Sequence, residues 1–305
     1  MANVGVCYGR DGDNIPLPRE TVNLCRSKQI RAMRIYGPDH DILEALKGTG
    51  IRLIMHAPGP DAHIQALREK SYAADWVKEN IKKFDPDVSF KYIAVGNEVE
   101  GDDVDHILPA MMNIHSAIKA EGLERKIKVS TVVKSDVLTP DSYPPSNAKF
   151  KDNRMVRIVQ FLSKNGAPLL ANIYPYFAYV REQANISLAY ALFKGGHVDG
   201  NYENLFDAMV DSMYYALEKA KCPDVKVVVS ETGWPSDGGV GDYNQNVINH
   251  VPRGTPKRPG ELETYIFAMF NENTKPIFAN FGSVEHHFGL FDPVKRKLVY
   301  PINFK

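Results

Sequence analysis

The sequence has no surplus of charge of either sign: 37 Lys and Arg stand against 37 Asp and Glu. Without a net field there is nothing to draw the chain to nucleic acid or to an anionic membrane, and a neutral partner is expected. Long hydrophobic runs are missing too. The apolar stretches are of strand length and end on Gly, Pro or Asn, well short of the roughly 20 residues a bilayer span needs. Cysteine is scarce. Cys7, Cys25 and Cys222 cannot make a disulfide framework, and their odd number leaves at least one free, so three buried thiols are expected. Metal-ligand spacing is absent: there is no His-Glu-x-x-His and no Cys-x-x-Cys pair. The nearest approaches are His286-His287 and the group Asp102, Asp103, Asp105 and His106, which reads better as the start of a helix. With no Walker lysine loop and no Rossmann glycine fingerprint either, no cofactor and no metal are expected. The opening "MANVGVCYG" enters a strand-like run without the basic and apolar parts of a leader, which implies a cytosolic chain or one whose leader has been removed.

What is present is an alternation. Eight β-branched or aromatic runs read as strands: Val4 to Tyr8, Ala32 to Tyr36, Ile51 to His56, Tyr92 to Val95, Ile127 to Val133, Leu169 to Ile173, Val225 to Ser230 and Thr264 to Phe270. Helix-length segments separate them. In "NLFDAMVDSMYYALEKA" a stripe of Leu205, Met209, Met213, Ala216 and Leu217 recurs at helical spacing, with Asp207, Asp211 and Glu218 expected on other faces. In "DHILPAMMNIHSAIKAEG", Asp105 is the expected N-cap, Pro109 falls in the first turn and Gly122 ends the helix. Strongly apolar strands alternating with helices indicate a parallel sheet covered on its faces, and eight such units fit a closed α/β barrel. No linker, composition shift or internal repeat divides the 305 residues, so residues 1–305 are expected to form one (β/α)8 TIM-barrel domain.

In such barrels the working side chains project from the C-terminal strand ends. "VVVSETGWPS" ends its apolar run on Glu231, and "YIAVGNEVEG" puts Asn97 and Glu98 in the matching place after the fourth run. Two carboxylates at one barrel mouth suit cleavage of a glycosidic bond. One protonates the leaving oxygen and the other meets the anomeric carbon or a water. Tyr8, Tyr36, Tyr174, Tyr176, Phe177, Trp234 and Phe270 fall at strand ends, where their rings could stack on sugars. Asn172, just ahead of Tyr174, is a further candidate contact to substrate. Arg34, inside the second strand, reads as a buried counter-ion for a carboxylate.

"GVCYG", "MRIYGPD", "YIAVGNEVEG", "PLLANIYPYFAY", "VVVSETGWPS", "RGTPKRPG", "ETYIFAMFNEN", "HFGLFDP" and "YPINF" together resemble the plant endo-β-glucanases of glycoside hydrolase family 17, from about Val4 to Phe304. The resemblance implies a retaining (β/α)8 hydrolase with Glu98 as acid/base and Glu231 as nucleophile. It also implies Asn97 on the 2-hydroxyl of the sugar beside the scissile bond, and Glu272 and Lys275 as electrostatic support. The implied partner is β-glucan, with β-1,3-glucan favoured. A 1,3-1,4-β-glucan endohydrolase and a weakly active or non-catalytic β-glucan-binding barrel are the alternatives. Two features depart from the family pattern: the stretch after Gly239 is several residues short, and Lys134 stands where 1,3-specific members commonly carry Arg. Family members are secreted to the cell wall space or vacuole and include plant defence enzymes. That origin makes Asn185-Ile186-Ser187 a candidate glycosylation acceptor. A monomer is expected.

Overall fold

A computed structural model describes residues 4–59, 63–195, 202–237, 242–277 and 282–304. The strands are β1 (Val4–Tyr8), β2 (Ala32–Ile35), β3 (Arg52–Ala57), β4 (Ser89–Asn97), β5 (Lys128–Lys134), β6 (Leu169–Asn172), β7 (Val227–Thr232) and β8 (Thr264–Ile266). They follow one another in chain order around a closed, parallel eight-stranded barrel, as the alternation predicts. The helices are α1 (Pro18–Ser27), α2 (His40–Leu46), α3 (Lys70–Val77), α4 (Val104–Ala120), α5 (Asn153–Asn165), α6 (Pro175–Arg181), α7 (Leu188–Ala191), α8 (Leu205–Lys219) and α9 (Asp242–His250). No helix among the described residues is long and apolar enough to cross a membrane.

The chain groups into two compact units. One comprises Ile35–Asn172 and Ser212–Val228. Its strands bury Leu53, Met55, Ile93, Val95, Val129 and Val132, and α4 buries the stripe Ile107, Ala110, Met111, Ile114 and Ile118. The other comprises Met1–Arg34, Ile173–Asp211 and Val229–Lys305, with Val6, Val229, Tyr265, Ile266, Phe288 and Phe291 in its interior. All three cysteines are free and buried, as expected.

Three local expectations need correction. Helix α4 begins at Val104, so Asp105 lies inside its first turn and Pro109 falls in the second turn, two residues further in than expected. In α8, Leu205, Met213, Ala216 and Leu217 are buried, but so are Asp207 and Asp211. Asp207 lies 2.8 Å from His250 Nε2 and accepts from the Asn204 amide, and Asp211 accepts from the Lys257 backbone N–H, so partners within the fold take the place of part of the water each carboxylate loses. Finally, β8 stops at Ile266. The backbone beyond it turns to the closing segment: Ala268 N–H donates to Phe288 O, Leu290 N–H to Ala268 O, and Phe270 forms an isolated bridge with Phe291.

Two strand pairs lose register near their C-terminal ends. Ala94 pairs with Ser130 and Asn97 with Val132, three steps on β4 against two on β5. Val229 pairs with Thr264 and Thr232 with Ile266, again three against two. Each mismatch is a β-bulge, which bends its strand and re-aims the side chains at its end. The first lies just ahead of Glu98 and the second contains Glu231.

Candidate active site

At the end of β4 the chain turns sharply. Gly96 has φ of +79°, and a Cβ there would lie 2.8 Å from Val99 Cγ2. Glu98 is itself left-handed at φ +52°, a conformation that costs a non-glycine residue about 1–2 kcal/mol. Its backbone N–H still reaches the β5 ladder at Val132 O, 3.0 Å away. The side chain is 30 % exposed. Its Oε1 accepts from Asn172 Nδ2 at 2.7 Å, and the same amide approaches Asn97 Oδ1 at 3.3 Å. Asn172 was expected on the substrate; it is buried, and its amide is committed to Glu98 and Asn97, so its place is behind the carboxylate. Lys134 Nζ stands 4.0 Å from Glu98 Oε2.

The end of β7 is built differently. Glu231 is 7 % exposed and has a partner on each oxygen. Arg34 Nη1 pairs with Oε1 at 3.0 Å and also donates to Ser230 O at 2.9 Å, while Tyr174 Oη donates to Oε2 at 2.7 Å. Arg34 is fully buried, as a counter-ion should be. A carboxylate with a charge partner and a hydroxyl donor is fixed in orientation and balanced in charge. Gly233, two residues on, has no room for a side chain: a Cβ would meet Phe267 O at 2.3 Å.

Tyr174 is held in turn by rings. Phe177, Phe267 and Phe288 pack on it with centroids 5.3, 6.4 and 6.0 Å away. Lys275 Nζ lies 4.1 Å from the Phe267 ring centroid, a cation–π contact, and pairs with Glu272 Oε2 at 3.3 Å and Glu285 Oε2 at 3.9 Å. Glu272 is buried and accepts from the Asp11 backbone N–H at 3.0 Å. Burial pushes its carboxyl above the ordinary value of 4.5, with Lys275 and the Asp11 N–H opposing. This pair is an interior one, and Gly9 makes room for it, since a Cβ there would fall 2.2 Å from Glu272 Oε1.

The expected aromatic contacts divide. Tyr36, half-buried and stacked on His56, lines a pocket of about 360 Å³ shared with His63, Gln65 and Asn97. Tyr176 and Phe177 are also partly exposed. Tyr8 does not fit the expectation. It is 1 % exposed, its ring packs on Phe270, and its hydroxyl lies 3.3 Å from both Pro16 O and Thr21 Oγ1, so it is a core residue. Phe270 is likewise interior, and Trp234, 5 % exposed, is enclosed by Tyr176, Tyr179 and Tyr243. Trp234 supports the wall from behind. Among the described residues no group of three or more His, Cys, Asp or Glu could hold a metal ion. The shortened stretch after Gly239 begins outside the described residues.

Residues 4–304 match the model of glycosyl hydrolases family 17. The chain is 52 % identical to the glucan endo-1,3-beta-glucosidase GV of Hordeum vulgare, over 98 % of each chain. It is 47 % identical to a glucan endo-1,3-beta-glucosidase of Vitis vinifera, over 99 % of this chain and 92 % of that one. Among solved structures, the fold is similar to CJP38, a beta-1,3-glucanase and allergen of Cryptomeria japonica pollen, with TM-score 0.92 and 42 % identity over 99 % of each chain. It is similar as well to a plant beta-glucan endohydrolase from a pair with distinct substrate specificities, with TM-score 0.91 and 44 % identity over 98 % of this chain and all of the other. On this evidence the chain belongs to glycosyl hydrolases family 17.

Proposed function

We propose that the protein is a retaining endo-hydrolase of β-1,3-glucan, acting as one catalytic domain with Glu98 as acid/base and Glu231 as nucleophile. The observation that carries this is the contrast between the two bulged strand ends of one parallel barrel. Glu231 is buried and held on both oxygens, as a nucleophile that must attack one carbon should be. Glu98 is partly exposed, as a group that must meet first a leaving oxygen and then a water should be.

In the first step Glu98 gives its proton to the glycosidic oxygen while a Glu231 oxygen attacks the anomeric carbon. The bond to the leaving sugar breaks and a glycosyl ester forms. In the second, Glu98, now a carboxylate, takes a proton from water, whose oxygen attacks the same carbon and releases Glu231. Two inversions give net retention, which requires the carboxyl groups to lie about 5–5.5 Å apart. Asn97 would hold the 2-hydroxyl of the attacked sugar, and Tyr36, Tyr176 and Phe177 present faces for neighbouring rings. A neutral polymer agrees with the balanced charge of the chain.

The names of the relatives favour β-1,3-glucan; 1,3-1,4-β-glucan is the second reading, since plant beta-glucan endohydrolases with distinct substrate specificities share this fold. Incubation with laminarin and with lichenan decides it. Release of reducing ends from laminarin in excess of lichenan is expected; a reversed order replaces the linkage assigned here. Retention on insoluble glucan with no reducing ends would make the protein a binding module. The reading extends to a secreted monomer, in the wall space or vacuole. Asn185 is exposed, its amide donating to Glu182 Oε2, and is accessible to glycosylation. A mass decrease on glycosidase treatment of plant-secreted protein tests that site.

A further inference from the structure

Lys134, at the end of β5, touches three carboxylates unequally. Its Nζ lies 2.7 Å from Glu100 Oε1, 3.7 Å from Asp136 Oδ2 and 4.0 Å from Glu98 Oε2. Both Glu100 and Asp136 have more than half their side-chain surface in solvent, so packing does not explain why they converge on this cation. Burial pulls the Lys134 ammonium down, yet its hydrogen bond to Glu100 and the charges of Glu98, Glu100 and Asp136 outweigh that and hold it above its usual value. The same hydrogen bond, with the Lys134 charge, holds the Glu100 carboxyl below its own.

This arrangement bears on Glu98. A donor of protons is hindered by a cation close by, because the cation favours the carboxylate. Among the groups around Glu98 are the Asn172 amide, which also donates to Asn97 Oδ1, the Lys134 ammonium and, behind it, Glu100 and Asp136, with Lys151 further out acting on Glu100. Lys134 taken with Glu100 and Asp136 leaves one negative charge in excess, so the two carboxylates offset the pull that the Lys134 ammonium alone would exert against a proton on Glu98.

We propose that Glu100 and Asp136 are positioning residues that hold the Lys134 ammonium off Glu98, and that this sets the highest pH at which Glu98 still carries the proton it donates. The inference rests on Glu98 being the acid/base. After the proton has gone, the same ammonium faces the carboxylate left behind and balances it while water is activated.

The test is the pH dependence of kcat/KM on laminarin for the wild type, Glu100→Gln, Asp136→Asn, Lys134→Met and the Glu100→Gln/Lys134→Met double variant. Glu100→Gln is expected to move the alkaline limb to lower pH by about half a unit to one unit. Asp136→Asn moves it less in the same direction, and Lys134→Met moves it to higher pH. In the double variant the shift caused by Glu100→Gln shrinks, since the cation it released is gone. A merely structural role would lower the whole profile without opposed displacements. Limbs that coincide, or that move in one direction for both Glu100→Gln and Lys134→Met, overturn the proposal. The underlying reading is checked separately: a wild type inert on laminarin, or Glu98→Gln with unchanged rate, defeats the assignment of Glu98 itself.

Discussion

The ends of β4 and β7 solve one task in opposite ways. Each gains a surplus residue through a bulge and each presents a glutamate, but the backbone is strained at Glu98 and extended at Glu231. Glu98 has an amide donor and a distant, shared cation; Glu231 has a buried guanidinium and a phenol. A nucleophile works from one position, so rigid double anchoring suits it. A group that changes from acid to base must tolerate both charge states, and a neutral amide with a diluted cation suits that better.

The comparison can be broken most sharply by activity. Glu231→Gln is expected to lower kcat on laminarin by about a thousandfold or more. Glu98→Gln should do the same on laminarin but spare the first step for an aryl glucoside whose leaving group needs no proton; pre-steady-state release of the phenol measures this. Equal loss on both substrates would erase the distinction between the two ends. Next comes anchoring. Arg34→Met strands a buried carboxylate and should cost about 3–5 kcal/mol in denaturant unfolding, whereas Lys134→Met, at a partly exposed site, should change stability by under about 1 kcal/mol. Comparable costs would mean that Glu98 is as firmly held as Glu231.

A smaller effect concerns Glu272, in the unit that holds Glu231. Its folded carboxyl is raised above 4.5 by burial, so between 4.5 and the folded value the native state binds more protons than the unfolded one. Its contribution to stability is therefore present below that window and lost as pH rises through it. Glu272→Gln should flatten this part of the melting temperature against pH; an unchanged slope would place the proton elsewhere. The smallest effect tests the backbone. At position 98 glycine should be more stable than alanine by about 1 kcal/mol, because only the left-handed residue gains from losing its Cβ. At position 231 the order should reverse, as in any strand interior. Urea denaturation of the four variants decides it.

Much of this was legible in the chain. The eight apolar runs specify the barrel because a strand buried on both faces must be continuously hydrophobic, and the abrupt arrival of Glu231 and Asn97-Glu98 marks where burial ends. Arg34 was readable as a counter-ion because a lone cation inside such a run needs a partner. The aromatic wall was only half legible. Tyr8 and Trp234 have the right chemistry at the right place, but whether a strand-end ring points into the cleft or into the core depends on register and on neighbours such as Phe270 and Tyr243, which are remote in sequence. The bulges were invisible for the same reason, since they are properties of pairs of strands. Asp207 and Asp211 misled in the other direction: their charge suggested solvent, while His250 and the Lys257 N–H, some 40 residues on, supply part of what water would.

The paired bulges also limit how the chain can change length. Side chains alternate between the two faces of a strand, so deleting the one surplus residue ahead of Glu98, or from the bulge containing Glu231, would turn the carboxylate into the barrel wall while leaving its chemistry intact. Shortening is therefore forbidden at Val95-Gly96 and at Ser230. That gives a concrete reason for the "GNE" and "SETGW" segments to keep their length.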